Sequence, residues 1–516
     1  MGKDLVEQPI KVYLKDGIYI PMDFVMPSHV DRVEKRYERH IYLKEQTCEK
    51  CEYFGDRPSD VCEGCPNYKG LYKLHKTVEF KGRECLRLPY GDRAGIKKIF
   101  GDDLKIVDLT PEIPMKRPFK LTVPLKPDQE PAVKKMVKTR SGVLKSPPRS
   151  GKTVMAAAAI AKLGMKTIIL ASQQDWLDNF LETFVGSDTQ AAMTNIKPNR
   201  VGFAKKLEDF EKYDVSLATY QTFLSPKGKK LLKKISGMFS VLVLDEVQFS
   251  AALEFSRVLG TFNCKYKFGL SGTPERKDTL EWVTYKLMGS IFYENKIKRM
   301  RPRIEVVVPP FVGKLPQSWV YAINKLESHP ERLKFVAKEA VKDIKAGHTV
   351  LIPMQRIPVI KALTQAINIM MDKTVAASFI GATPKSTKVK GNRKELIDKM
   401  RNRKLRCFVG QMRLLSTGIN IPCASMLYQV TPCSNLPKAD QRFSRVLTPD
   451  DSKPQPVFKY FADDIDMVRS CMRSEHFGCV WPTFRPMMDQ RTKVKLDDYF
   501  KNKKTRGPAE YADGVI

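Results

Sequence analysis

Between residues 121 and 293, short apolar runs alternate with longer amphipathic stretches, a pattern that predicts a parallel sheet flanked by helices. The runs at 167–171, 215–219, 241–244 and 267–270 read as strands, and each gives way to polar residues where a strand's carboxyl end would fall. A second set begins near His348, with strands expected at 349–352, 375–380, 405–409 and 424–430, so a second sheet of similar size follows. Between the two sets, residues 300–315 carry Pro302, Pro309 and Pro310, which predicts an extended connector and a domain boundary near Arg303. Upstream, strand-like runs and a proline-spaced exit at Pro111, Pro114 and Pro118 mark a separate amino-terminal domain. There, residues 78–98 read as a strand, Gly82, a second strand to Leu88, and then Pro89-Tyr90-Gly91. The expected organisation is an α+β domain at 1–120, two parallel-sheet domains at 121–303 and 304–480, and a basic, flexible tail at 481–516. No internal repeat at a solenoid period interrupts it.

Composition narrows the class. At 516 residues the chain exceeds the size of one hydrophobic core, and its 42% hydrophobic and 28% charged residues are a globular balance. The longest apolar stretch, 154–171, is broken by Lys162 and Lys166, and no apolar signal core opens the chain, so it reads as soluble, cytosolic and without a membrane partner. Lys and Arg total 90 against 57 Asp and Glu, a formal charge of +33 that favours a polyanionic partner. A solvated basic surface is the bland alternative.

Candidate chemistry starts at 143–153. Val143-Leu144-Lys145 leads into Ser146-Pro147-Pro148-Arg149-Ser150-Gly151-Lys152-Thr153 and then a helix-forming run, the order strand, loop, helix. Such a loop aims backbone N–H groups at a phosphate on a helix amino terminus. Pro148, Arg149, Ser150 and Gly151 supply the loop, Lys152 a charge for the outer phosphates, and Thr153 a hydroxyl for magnesium. Ser146 stands where the pattern usually has its first glycine. The second half of the site is expected at the end of a neighbouring strand, where 239–244 runs into Asp245-Glu246-Val247-Gln248. Asp245 can hold the magnesium through water, Glu246 can orient and deprotonate the attacking water, and Gln248 can report on the phosphate.

Of eleven cysteines, Cys48-x-x-Cys51 and Cys62-x-x-Cys65 form a cluster whose spacing can close a tetrahedral four-sulfur site in a reducing compartment. Zinc is the first choice of occupant, an iron–sulfur cluster the second, and thiols without metal the third. Lys44, Lys50, Tyr53, Phe54, Arg57, Tyr68 and Lys69 surround this insert, as phosphate and base contacts or as its own packing.

Together these motifs resemble superfamily 2 helicases, more closely the phage UvsW-like and XPB-like branch, over residues 121–465. The resemblance implies two tandem RecA-like domains and an ATP-dependent DNA helicase or translocase. Its substrate would be single-stranded, forked or branched DNA in phage replication, recombination or repair, in the host cytoplasm. An RNA helicase and a nucleic-acid-binding protein with a degenerate ATPase core are the alternatives. Leu125-Lys126-Pro127-Asp128-Gln129 resembles the adenine-reading element, with Gln129 on the base. The stretch 169–176, with Gln173, and the stretch 218–222, with Thr219, resemble elements that track the nucleic-acid backbone. Residues 269–276 resemble the segment coupling hydrolysis to strand movement, with Ser271 and Thr273 at its hydroxyl positions. Thr417, Gly418 and Asn420 lie in a stretch resembling the fifth motif, Asn420 replacing the usual aspartate. Residues 441–448 resemble the last motif. There Gln441 joins the nucleic-acid and coupling set, while Arg442 and Arg445 serve the terminal phosphate, Arg445 as the arginine finger. Ser444 and Thr448 replace a usual glycine and arginine, and solvated helix charge is the bland reading of the two arginines.

Overall fold

The structure is a computed structural model. It describes residues 10–42, 68–147, 150–187, 191–248, 253–275, 280–295, 302–309, 318–381, 389–416, 421–432, 445–448, 450 and 452–463. The chain divides into two compact units, 1–297 and 298–516.

In the first unit, β1 (Ile10–Leu14), β2 (Gly17–Pro21), β5 (Lys76–Phe80), β6 (Arg83–Pro89) and β7 (Leu104–Asp108) form a five-stranded sheet in the order β5-β6-β2-β1-β7. The pair β1/β7 is parallel and the other pairs are antiparallel. Period-2 alternation sends Val12, Leu14, Ile18, Ile20, Leu86 and Leu88 to one face, where they bury Val33 and Tyr37 of helix Pro27–Tyr37 and Ile96, Ile99 and Phe100 of helix Arg93–Phe100. A hairpin of β3 (Glu38–Tyr42) and β4 (Tyr68–Lys73) flanks it.

This amino-terminal layer is tied to the sheet that follows it by specific polar bonds. The Tyr90 hydroxyl donates to the Lys265 carbonyl at 2.7 Å, Arg87 Nη2 to the Gly260 carbonyl at 2.6 Å, and Arg93 Nη2 to Ser141 Oγ at 2.9 Å. Asp92 pairs with both Arg36 and Lys286, which holds its carboxyl below the usual aspartate range despite burial.

The sheet that follows contains β8 (Ser141–Lys145), β9 (Thr167–Ala171), β10 (Val201–Phe203), β11 (Val215–Thr219), β12 (Val241–Asp245), β13 (Tyr266–Ser271) and β14 (Ile291–Glu294). All seven are parallel, in the order β10-β11-β9-β12-β13-β8-β14. Helices pack on both faces, which is why the runs 168–171 and 241–244 are apolar throughout rather than alternating. The sequence expects the acidic pair on a strand neighbouring the phosphate loop. In the structure β13 lies between β12 and β8, so that the end of β13 stands between the two.

The second unit is a six-stranded parallel sheet of β15 (Arg303–Val307), β16 (Val350–Met354), β17 (Ala376–Phe379), β18 (Cys407–Gln411), β19 (Met426–Gln429) and β20 (Val457–Phe461), ordered β15-β20-β19-β16-β18-β17. Apolar clusters cover both its faces. Both sheets are parallel, as the alternating pattern of the sequence predicts. The expected connector is partly strand: residues 303–307 pair along β20 as the sheet edge, with Pro302 and Pro309 just outside the paired segment, where missing N–H groups cost nothing. In β20, Lys459 is buried and bridges Glu305, Glu339 and Asp343 at 3.3, 2.8 and 2.6 Å. An ammonium is stable there only because three carboxylates converge on it.

Candidate functional site

The loop after β8 enters helix Lys152–Leu163, so Lys152 and Thr153 are its first two residues and their N–H groups belong to its unpaired amino end. Gly151, immediately before, has φ +81, and a Cβ there would lie 2.3 Å from Gln129 Nε2. Only glycine fits both demands. Gln129 is buried; its Nε2 donates to the Ser150 carbonyl at 2.9 Å and its Oε1 accepts from the Lys126 N–H at 3.0 Å. The amide nitrogen therefore braces the loop while its oxygen closes the turn that precedes Gln129, a role that sequence reading missed. Ser146 is fully buried: its N–H donates to the Ser271 carbonyl at 2.8 Å and its hydroxyl to Ser150 Oγ at 2.6 Å. The residue that departs from the usual glycine thus fastens the loop to β13. Lys152 Nζ reaches the Ser146 carbonyl at 3.2 Å. Pro148 and Arg149 lie outside the described residues.

Register carries the acidic pair to the same level. Asp245 pairs with Leu270, and Ser271 with Lys145, so the ends of β12, β13 and β8 form one short ledge. Burial and the adjacent Glu246 push the Asp245 carboxyl up to about 7, while Lys152 pulls it back. Two carboxylates beside one ammonium leave a deficit of positive charge that a divalent cation would fill. Glu246 adopts φ +49, a left-handed conformation that costs a non-glycine residue about 1–2 kcal/mol and turns its side chain out of the strand direction.

From Glu246 a chain of hydrogen bonds runs along the ledge. Gln248 Nε2 donates to Glu246 Oε2 at 2.9 Å, Ser271 Oγ donates to Gln248 Oε1 at 2.7 Å, and the Thr273 N–H donates to Ser271 Oγ at 3.0 Å. Glu246, Gln248, Ser271 and Thr273, singled out from separate motifs, are one network. Gly269 lets it form: a Cβ there would meet Val247 Cγ2 at 2.7 Å.

Gln173 and Thr219 occupy the other half of the same edge, at the ends of β9 and β11. Gln221 Nε2 donates to the Ser172 carbonyl at 2.8 Å, linking the two loops, and Tyr220 stacks on Phe255 at 4.1 Å. Adjacent strands are spaced by roughly 4.8 Å, so the end of β9 lies beside that of β12, which bears the acidic pair, and about 14 Å from that of β8, three strands away.

In the second unit, Arg445 is a partly exposed turn residue, followed by the buried Val446 and Leu447. Lys453 fixes this turn: its buried Nζ donates to the carbonyls of Pro422, Ala424 and Val446 at 3.1, 2.9 and 2.9 Å. At the carboxyl ends of the strands, the buried carboxylate of Glu327 accepts from the N–H groups of Gln355 and Arg356 at 3.0 and 3.2 Å and from the Thr431 hydroxyl. Arg332 forks onto Asp463 with two 2.7 Å bonds and reaches the Val430 carbonyl at 2.6 Å. Sequence reading missed all three, because a lone Lys, Glu or Arg reads as surface charge. Thr417, Gly418, Asn420, Gln441 and Arg442 lie outside the described residues, as do Cys48, Cys51, Cys62 and Cys65. Among the described residues no group of three or more His, Cys, Asp or Glu side chains could hold a metal ion, and no helix is long and apolar enough to cross a membrane.

Residues 122–276 match the family described as type III restriction enzyme, res subunit. The chain is 26% identical over 325 residues to the probable helicase D10 of Escherichia phage T5, a match covering 61% of this chain and 66% of D10. It is 25% identical over 291 residues to the XPB helicase/translocase subunit of general transcription and DNA repair factor IIH of Schizosaccharomyces pombe, covering 52% of this chain but 34% of that one. Among solved structures, T4 UvsW aligns with a TM-score of 0.38 and 18% identity, over 88% of this chain and 90% of that one. The chain thus spans less than two thirds of these curated relatives' length. Residues 122–276 thus match one restriction-enzyme family model, and the relatives that the chain resembles, at 25–26% identity, bear the names of phage and XPB helicases.

Proposed function

We propose that the chain is an ATP-driven DNA helicase or translocase that unwinds or branch-migrates forked or branched DNA in phage replication, recombination or repair. The observation that carries this reading is the network from Glu246 through Gln248 and Ser271 to Thr273, which joins the water-activating position to the coupling segment. Lys152 and the amino end of its helix bind the outer phosphates, Thr153 and Asp245 hold magnesium, and Glu246 positions and deprotonates the attacking water. When bound, magnesium supplies charge neutralisation for the leaving phosphate. Gln173, Thr219, Thr417 and Gln441 grip the backbone, while Gly418 and Asn420 complete the nucleotide set and Arg442 and Arg445 serve the terminal phosphate. Backbone contacts make binding insensitive to sequence and steeply dependent on salt.

Residues 1–120 act as the substrate-handling domain, 121–303 and 304–480 as the motor, and 481–516 as a basic tail in the host cytoplasm. ATPase and unwinding assays across single-stranded, duplex, forked and four-way DNA with matched RNA test the reading. Stimulation by DNA, strongest with forks or junctions, is expected. Stronger stimulation by RNA transfers the function to RNA unwinding, and no hydrolysis with any polynucleotide reduces the chain to a binding protein.

Two local consequences follow. Gly151→Ala forces a strained φ and pushes Gln129 off the loop, so ATP affinity should fall about 10-fold, the equivalent of roughly 1–2 kcal/mol of left-handed strain. Titration with a fluorescent ATP analogue checks it, and unchanged affinity would remove Gly151 from the site. The four-sulfur set Cys48, Cys51, Cys62 and Cys65 is assigned zinc. Elemental analysis should find one zinc per chain, lost in Cys48→Ser/Cys51→Ser together with a lower melting temperature of the amino-terminal domain.

A further inference from the structure

The five-stranded sheet of the amino-terminal layer has a second face that the proposed motor function leaves unused. Strand alternation sorts charge across it. On the helix-covered side the strands carry Glu79, Glu84 and Asp108, whereas the strand positions of the other face carry Lys11, Lys76, Arg83 and Lys105, besides the Asp16-bound Arg87, and no carboxylate. Lys15 and Lys81, in the turns beside it, lean over its rings. The six cations other than Arg87 are exposed, and no carboxylate of the described residues forms an ion pair with them. Asp16, the acid nearest in the β1–β2 turn, is occupied by Arg87 at 2.8 Å and by the Tyr19 hydroxyl at 2.7 Å.

Aromatic rings sit among these charges. Phe80 stacks on Tyr19 with centroids 4.3 Å apart, and Tyr13 tilts against Phe80 at 5.7 Å. Tyr19 is buried, while Tyr13 and Phe80 stay half-exposed at the surface. Lys81 Nζ lies 4.7 Å from the Tyr13 centroid, and Lys15 Nζ 5.7 Å from that of Phe80. A twisted sheet offering flat rings, ringed by flexible ammonium groups without acidic partners, matches a strand whose unpaired bases present π faces and whose phosphates follow at short intervals. A duplex hides its base faces and would use only the charge.

We propose that this sheet face is a stacking platform for single-stranded DNA, with Tyr13 and Phe80 taking bases and Lys11, Lys15, Lys81 and Lys105 taking phosphates. The proposal rests on the DNA-motor reading and names the surface that holds an unpaired strand outside the motor edge. A base entering over Phe80 displaces Lys15 and Lys81 from the rings toward the flanking phosphates, so the cation–π contacts are exchanged for ion pairs.

The test uses the full chain, with binding of a labelled dT 20-mer, its U counterpart and a blunt 20-base-pair duplex read by fluorescence anisotropy over a salt series. Tyr13→Leu/Phe80→Leu keeps apolar volume and should weaken dT binding about 10-fold while leaving duplex binding within about 2-fold, because stacking is the part removed. Lys11→Ala/Lys81→Ala/Lys105→Ala should weaken both and flatten the single-strand salt slope by about 2. A dT oligomer bearing 5-iodouracil should crosslink to Tyr13 or Phe80 in the unaltered protein, a readout that does not depend on the variants folding. Crosslinks confined to motor peptides, or an aromatic variant that binds dT normally, overturn the platform while DNA-stimulated ATP hydrolysis keeps the motor reading. Equal losses for duplex and single strand in the aromatic variant also overturn it, leaving electrostatics alone. Tighter binding of the U oligomer than of dT assigns the platform to RNA, and absence of binding to every polynucleotide removes both the platform and the motor reading.

Discussion

Lys152→Ala should lower ATP turnover by about 10³-fold and Glu246→Gln by about 10²–10⁴-fold, with single-strand binding in the absence of nucleotide kept within about 3-fold. The two residues fail for different reasons. Lys152 heads the helix beyond the loop, and its ammonium draws the Asp245 carboxyl back down. Removing it leaves the phosphates facing two carboxylates, so ATP affinity should fall together with turnover. Glu246 is held by Gln248 at 2.9 Å and by its own left-handed backbone. Its amide replacement is isosteric, keeps nucleotide binding and loses only the base. The KM for ATP should therefore rise in the lysine variant and stay near the unaltered value in the glutamine variant, a split that simple unfolding would not produce. Retained turnover in either variant would sink the site assignment. Strand binding should survive because it is assigned to Gln173 and Thr219, at the ends of other strands, β9 and β11, and neither Lys152 nor Glu246 is part of that contact set.

What could be read ahead of the structure was local in sequence. The phosphate loop is a strand, a loop and a helix in immediate succession, and Asp245-Glu246 follows an apolar run directly, so each announces itself within a dozen residues. Strand order is not local. Nothing in 241–271 says that β13 inserts between β12 and β8, yet that insertion brings Ser271 within reach of Gln248 and of the Ser146 N–H. Buried charge was hidden for a related reason. Arg332, Lys453 and Lys459 look like surface residues until Asp463, three backbone carbonyls and three carboxylates, respectively, are seen to meet them. Residues 303–307 read as connector because Pro302 and Pro309 flank them, and proline bars a central strand but not the ends of an edge strand. The amino-terminal sheet gave alternation without register, and register is what separates its lysines from its glutamates.

The network on the ledge leads to the second large effect. Ser271→Ala should leave basal ATP hydrolysis within about 3-fold and reduce base pairs unwound per ATP about 10-fold or more, because a buried acceptor left without its donor costs about 1–3 kcal/mol in whichever state needs it. In the structure Ser271 is fully buried; its hydroxyl donates to Gln248 Oε1 and accepts from the Thr273 N–H, so it links the acid-bearing loop to the segment that follows β13. Alanine removes both bonds but fills the space, since Ser271 already packs without exposure, and folding should be little changed. Gln248→Ala cuts the same path one bond earlier and also frees Glu246, so its basal hydrolysis should fall further than that of the serine variant. If the path acts as a unit, the double variant should lose no more coupling than Gln248→Ala alone. Unwinding and hydrolysis measured on one forked substrate give the ratio directly. A proportional fall in both, or losses that add in the double variant, would mean that Ser271 supports the site only by packing and that strand movement is driven through some other part of the edge.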